Sequence, residues 1–133
     1  MKRIFVTAIA AAALGATAHA QTLRFASQGD PQTMDPHSQN ESFTNSVNQQ
    51  VYEYLVGRDK QTTIVPGLAT SWEQLSPLKW RFKLRQGVKF HDGTPFTADD
   101  VVFSVERAMA PTSNFRQFTT GVQGARKIDD HTV

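Results

Sequence analysis

The spacing of apolar residues changes several times along the chain, and each spacing predicts a different element. Ile4 to Leu14 is one apolar run behind Lys2 and Arg3, closed by Ala18-His19-Ala20, the small-x-small pattern a signal peptidase cuts. The run is roughly half of the 20 or so apolar residues a membrane-spanning helix needs. It therefore reads as a cleavable secretory signal over residues 1–20, with the mature chain starting at Gln21. In Thr22 to Ser27, Leu23 and Phe25 alternate with Arg24 and Ala26, which predicts a short strand. Two Asp-Pro pairs in QGDPQTMDPHSQNE then exclude regular structure, since proline lacks an N–H and keeps its predecessor out of the helical region. Phe43, Val47, Val51, Tyr54 and Leu55 return at helical spacing, and Gly57 is placed to stop that helix.

The middle of the chain shifts to period two. Thr62 to Val65 reads as extended and Pro66-Gly67 as a turn. ATSWEQL and KWRFKLR flank a break at Ser76-Pro77; in the second run Trp80, Phe82 and Leu84 face one side and Arg81, Lys83 and Arg85 the other. That alternation predicts a half-buried antiparallel strand with a solvated basic face. Ala110 to Gly124, broken by Pro111, Gly121 and Gly124, reads as loop. RKIDDHTV reads as a strand, an Asp-Asp turn and the start of a partner strand, a hairpin whose edge is left unpaired.

One stretch concentrates titratable groups. KFHDGTPFTADDVVFS, Lys89 to Ser104, holds His91, Asp92, Asp99 and Asp100. Local structure accounts for most of them. Thr97 stands at a helix N-cap with Asp100 as its capping-box partner, Phe96 and Val101 occupy the hydrophobic-staple positions, and Asp99 and Asp100 sit where the helix dipole favours carboxylates. Ala98, Val101, Val102, Val105 and Met109 form the expected buried face. Asp92-Gly93 before Pro95 is turn chemistry. Only His91 lacks a local role, and a zinc site wants three or four ligands, with His37 and His131 far off in sequence. Metal binding by His91, Asp92 and Asp99, as in a small exported hydrolase, is the alternative to structural punctuation. No nucleophile elbow, phosphate loop, zinc-protease motif or dinucleotide fingerprint is present. The residues give no catalytic group, no metal ligand set and no cofactor.

Charge and composition narrow the picture further. The chain has 14 Lys and Arg against 12 Asp and Glu, and two of the basic residues lie in the signal, which leaves 12 of each sign. No basic cluster remains for nucleic acid or an anionic membrane. There is no cysteine, which excludes disulfides, thiolate metal sites and the acylated cysteine of a bacterial lipoprotein. Without the signal 113 residues remain, and their apolar share falls from 39% to about a third, lean for a stand-alone core.

The order of segments MDPH, VYEYLVGRD, IVPGLATSWE and WRFKLRQGVKFHDGTPFTADDVVFSVERA resembles the N-terminal part of the family 5 solute-binding proteins, the peptide/nickel-type binding proteins of ABC importers. The likeness runs from Thr22 to Val133 and is most specific over Phe82 to Val101. Ser76-Pro77 departs from the Asp-Gly common at that turn. The resemblance implies a periplasmic-binding-protein-like type II fold, two α/β lobes closing on a ligand with an extra subdomain in the first lobe. Residues 21–55 would start the first lobe, and residues 56–133 would be part of the inserted subdomain, with FHDGTPFTADDV supporting it away from the ligand. It also implies that the 133 residues are an N-terminal portion of a longer binding protein, not an enzyme; a truncated, non-functional fragment is a further alternative. The implied partners are an inner-membrane ABC permease and a small ligand, with peptide favoured over nickel chelate, opine or oligosaccharide, for a monomer in the periplasm. The loop matching the ligand-facing one is Ser38, Gln39, Asn40, Glu41 and Ser42, beside a helix N-terminus able to receive a carboxylate. The competing reading has Ser42 or Asn40 simply capping the helix from Phe43.

Overall fold

The computed structural model describes residue 22 and residues 24–133, so the expected signal segment lies outside the described residues. The elements are α1 (Ser42–Asn48), β1 (Val56–Arg58), β2 (Ile64–Pro66), β3 (Ala69–Ser76), β4 (Lys79–Leu84), α2 (Ala98–Met109) and a 3-10 turn, Arg116–Thr119. β1 pairs antiparallel with β2, and β3 with β4, as two small sheets. The two central aromatic-rich runs thus form a hairpin, with Ala69 opposite Leu84, Ser76 opposite Lys79, and two register irregularities between.

The expected alternation of β4 holds only from Phe82 to Leu84; nearer the turn Arg81 is half-buried rather than solvated, and burial fades. Leu84 is buried, Phe82 half-buried and Trp80 exposed, because the turn end of the hairpin projects past everything it packs against. On the opposite face Arg81 pairs with Glu73 across the strands at 3.1 Å. The C-terminal turn Asp129–Thr132 forms as expected, with Ile128 N–H donating to Thr132 O at 2.9 Å. Its second arm is not left unpaired. Phe82 and Val133 exchange backbone hydrogen bonds at 2.8 and 3.1 Å, and Leu84 N–H donates to His131 O at 2.9 Å. The last residues thereby cover the outer edge of β4, which needs a partner for its free N–H groups.

The core forms where this sheet meets the start of α2. Leu84, Phe96, Ala98, Val101 and Val133 are buried together, with Leu55, Leu68, Val88 and Val102 packed around them. The N-terminus of α2 follows its sequence closely. The Asp100 carboxylate accepts from Thr97 N–H at 2.7 Å, and Phe96 and Val101 are both buried as staple partners. Of the expected buried face, Ala98 and Val101 are fully buried, while Val102, Val105 and Met109 are half-buried. Gly93 takes a positive φ of 90° in the turn after Asp92, the conformation that favours glycine there.

Two expectations fail in the N-terminal part. Thr22 and residues 24–27 belong to no strand and lie exposed, because none of the strands of the described residues runs beside them. The helix from Phe43 ends at Asn48 rather than running on to Leu55. Tyr54 and Leu55 instead turn their carbonyls to another segment: Tyr54 O accepts from Leu68 N–H at 2.8 Å, and Leu55 O from Ala69 N–H at 2.8 Å. The chain at Tyr54 and Leu55 is held out of a helix against the Gly67–Ala69 segment, so the i, i+4 spacing of apolar residues is overridden. Gly57 consequently lies in β1 and stops nothing.

Candidate functional site

The loop from Thr33 to Ser42 is built from short polar side chains that bond their own backbone. Thr33 Oγ1 accepts from Asp35 N–H at 3.0 Å, and Asp35 Oδ1 accepts from His37 N–H at 2.9 Å. Thr44 Oγ1 reaches back from α1 to accept from Gln32 N–H at 3.1 Å. Neither Ser42 nor Asn40 caps α1. Glu41 does, one carboxylate oxygen accepting from Phe43 N–H at 2.6 Å and the other from Thr44 N–H at 2.9 Å and the Thr44 hydroxyl at 2.6 Å. The Thr44 hydroxyl, then the Thr44 and Phe43 N–H groups, hold that carboxyl below its usual range. The helix end thus already holds the protein's own carboxylate. Asn40 Oδ1 accepts from the Asn45 amide at 3.2 Å, Asn40 and Ser42 are exposed, and Ser38 and Gln39 are half-buried.

A second set of contacts straps this loop to the far end of α2. Arg107 forms an ion pair with Asp35, 72 residues away. Asn114 N–H donates to His37 O at 3.0 Å, and the Asn114 side chain donates to Ser38 O. The Phe115 ring meets the His37 ring edge-on, centroids 6.2 Å apart. The Arg107 guanidinium, then the His37 N–H, hold the Asp35 carboxyl below its usual range. Burial, then the Arg107 charge, pushes His37 down. Sequence reasoning missed Arg107, Asn114 and Phe115. The one available signal was Arg107 itself, the basic residue in the last turn of α2.

The titratable cluster in the most specific sequence block is not brought together as a metal or acid/base site. Asp92 Oδ1 accepts from Thr94 N–H at 2.9 Å and from the Thr94 hydroxyl at 2.7 Å. Lys127 Nζ lies 2.6 Å from Asp99 and 2.7 Å from Asp130, tying α2 to the C-terminal turn. Among the described residues, no three His, Cys, Asp or Glu side chains approach closely enough to hold a metal ion. Nothing in this geometry favours the hydrolase reading.

The likeness to solved structures makes this hairpin-and-helix unit, with the polar loop ahead of its first helix, part of a type II periplasmic-binding-protein fold. Among solved structures, that of AgaA in complex with agropinic acid, from A. tumefaciens R10, is similar at a TM-score of 0.70 and 34% identity, covering 78% of this chain and 22% of that one. The periplasmic oligopeptide-binding protein OppA of Escherichia coli K12 is 30% identical over 135 residues, covering 87% of this chain and 25% of OppA. The periplasmic murein peptide-binding protein MppA of the same strain is 35% identical over 105 residues, covering 76% of this chain and 20% of MppA. Residues 63–133 match the model of the bacterial extracellular solute-binding proteins, family 5 Middle. The chain belongs to that family of binding proteins. It spans about a quarter of the length of the curated relatives it matches.

Proposed function

We propose that this chain is part of the periplasmic solute-binding component of an ABC importer, which captures peptides or similar small ligands and hands them to an inner-membrane permease. The family match over residues 63–133 carries the reading. In this reading the protein is an exported monomer, released from its signal at Gln21, that binds and does not catalyse. Residues 21–55 open the first lobe, and residues 56–133 belong to the inserted subdomain. The Ser38–Gln39–Asn40–Glu41–Ser42 segment faces the ligand. Its exposed Asn40 and Ser42 supply hydrogen-bonding groups, and Glu41 holds the segment on α1.

Lobe closure on the solute is the change the permease would read. Peptide is the favoured solute because OppA and MppA are named for peptides, while AgaA was solved with agropinic acid. The test is a thermal-shift screen of the protein as its host makes it, across di- and oligopeptides, nickel chelates, opines and oligosaccharides. A true ligand at a hundredfold excess over its dissociation constant stabilises by about 2.7 kcal/mol. No shift with any class would defeat the reading.

A further inference from the structure

The Ser38–Ser42 segment is pinned near both ends, and the two pins come from different parts of the chain. Near its C-terminal end Glu41 accepts from Phe43 N–H, Thr44 N–H and the Thr44 hydroxyl, so α1 itself fixes that end. At its N-terminal end the Ser38 carbonyl accepts from the Asn114 side-chain amide, and the His37 carbonyl before it accepts from Asn114 N–H at 3.0 Å. Only Gln39 and Asn40 stand between the pins. Apolar packing adds little, since none of Ser38 to Ser42 is buried. A hollow of about 390 Å³, rather than packed side chains, lies among Pro36, His37, Asn48 of α1 and Phe118. The position of the segment is therefore set by hydrogen bonds.

We propose, resting on the reading that Ser38–Gln39–Asn40–Glu41–Ser42 faces the ligand, that Asn114 is a positioning residue for solute capture. By holding the backbone at His37 and Ser38 it keeps Asn40 and Ser42 in the arrangement the solute meets. Among the described residues, Asn114 supplies the one side chain from beyond α1 that hydrogen-bonds to this segment. Its backbone and side-chain donors take successive carbonyls, which fixes the direction of the chain there as a single bond would not. Asn114 is itself exposed and fills no place in the apolar cluster, so its bonds serve the segment and not the core. A segment released from this pin samples other arrangements, and the apparent Kd rises as the competent fraction falls. The coupling is reciprocal, so a solute bound at the segment tightens the Asn114 contacts in turn.

The test uses the protein as its host makes it, with a random tripeptide mixture as the probe and hydrogen exchange as the readout. In the wild type the mixture should slow exchange over residues 38–42 and, through the coupling, at Asn114 N–H, which pairs with His37 O. Asn114→Ala should leave Tm nearly unchanged and speed exchange over residues 38–42 of the free protein by about threefold to tenfold, the loss of one hydrogen bond. It should also raise the Kd for the mixture severalfold, chiefly through slower association. Asn114→Asp, of the same shape but without the donor, should behave as the alanine variant does. Exchange left as in the wild type, or faster exchange with an unchanged Kd, would overturn the proposal while leaving the ligand-facing reading intact. A Tm lowered by several degrees, with faster exchange throughout residues 56–133, would make Asn114 a support of the fold instead, and would overturn it too. No slowing over residues 38–42 in the wild type would defeat the ligand-facing reading and the proposal together.

Discussion

Residues 56–133 enclose an apolar cluster in which Leu84, Phe96, Ala98, Val101 and Val133 are buried, whereas residues 24–55 bury Thr44 and Asn48. The first region is held by contact between side chains that need no particular orientation. The second is held by the Glu41 cap, the Asp35–Arg107 pair and the Asn114 contacts, each of which works only in one geometry. The difference teaches how one part of a fold can hold itself by apolar contact while its neighbour is latched to it by polar ones.

The largest expected effect lies in the apolar region. Leu84→Ala removes the side chain where β4 meets α2 and should reduce unfolding free energy by about 3 kcal/mol. Chemical denaturation measures it; a loss below about 1 kcal/mol would mean the cluster does not hold this region together. Next comes the junction between the regions. A Cβ on Gly67 would meet the carbonyl oxygen of Tyr54 and lie 3.1 Å from that of Leu55. Gly67→Ala should therefore cost about 1–3 kcal/mol and speed amide exchange at Leu68 and Ala69, whose N–H groups pair there.

A smaller and more local change follows from Arg107→Gln. It should raise hydrogen exchange over residues 35–40 severalfold while leaving exchange in β3 and β4 unchanged. Equal change in both regions would erase the distinction between a packed part and a latched one. The smallest effect is that of pH. Burial holds His37 below its usual 6.5, so the unfolded chain takes up that proton first, and the latch loses stability as pH falls below about 6.5. Arg107 holds Asp35 below its usual 3.8, so its contribution is present above that value and is lost only as pH falls below it. Protection over residues 35–40, exchange taken relative to its intrinsic rate at each pH, should thus fall in two steps with acid, and His37→Phe should remove the upper one alone.

The sharpest local readings were those in which neighbours in sequence are neighbours in space. Thr97, Asp100, Phe96 and Val101 could be placed around a helix start because a cap and a staple involve five or six consecutive residues. Asp92-Gly93 and the Asp129–Thr132 turn were legible for the same reason. The candidate site was legible only as a polar loop. Its cap fell to Glu41 because a longer arm reaches two N–H groups and a hydroxyl at once, which residue type alone did not rank. The straps from Arg107 and Asn114 join residues some seventy apart, and no local pattern encodes such a pairing.

The sequence by itself determined the strand β4 and the start of α2, since period-two alternation and capping chemistry act within a few residues, and the order of its segments carried the resemblance to the family. Only the tertiary structure decided where α1 ends, because Tyr54 and Leu55 follow helical spacing yet lie against the Gly67–Ala69 segment instead. It alone decided that the C-terminal arm closes the edge of β4, and that Asn48 faces a hollow without a partner. Which segment arrives to pair a backbone group is a property of the folded chain.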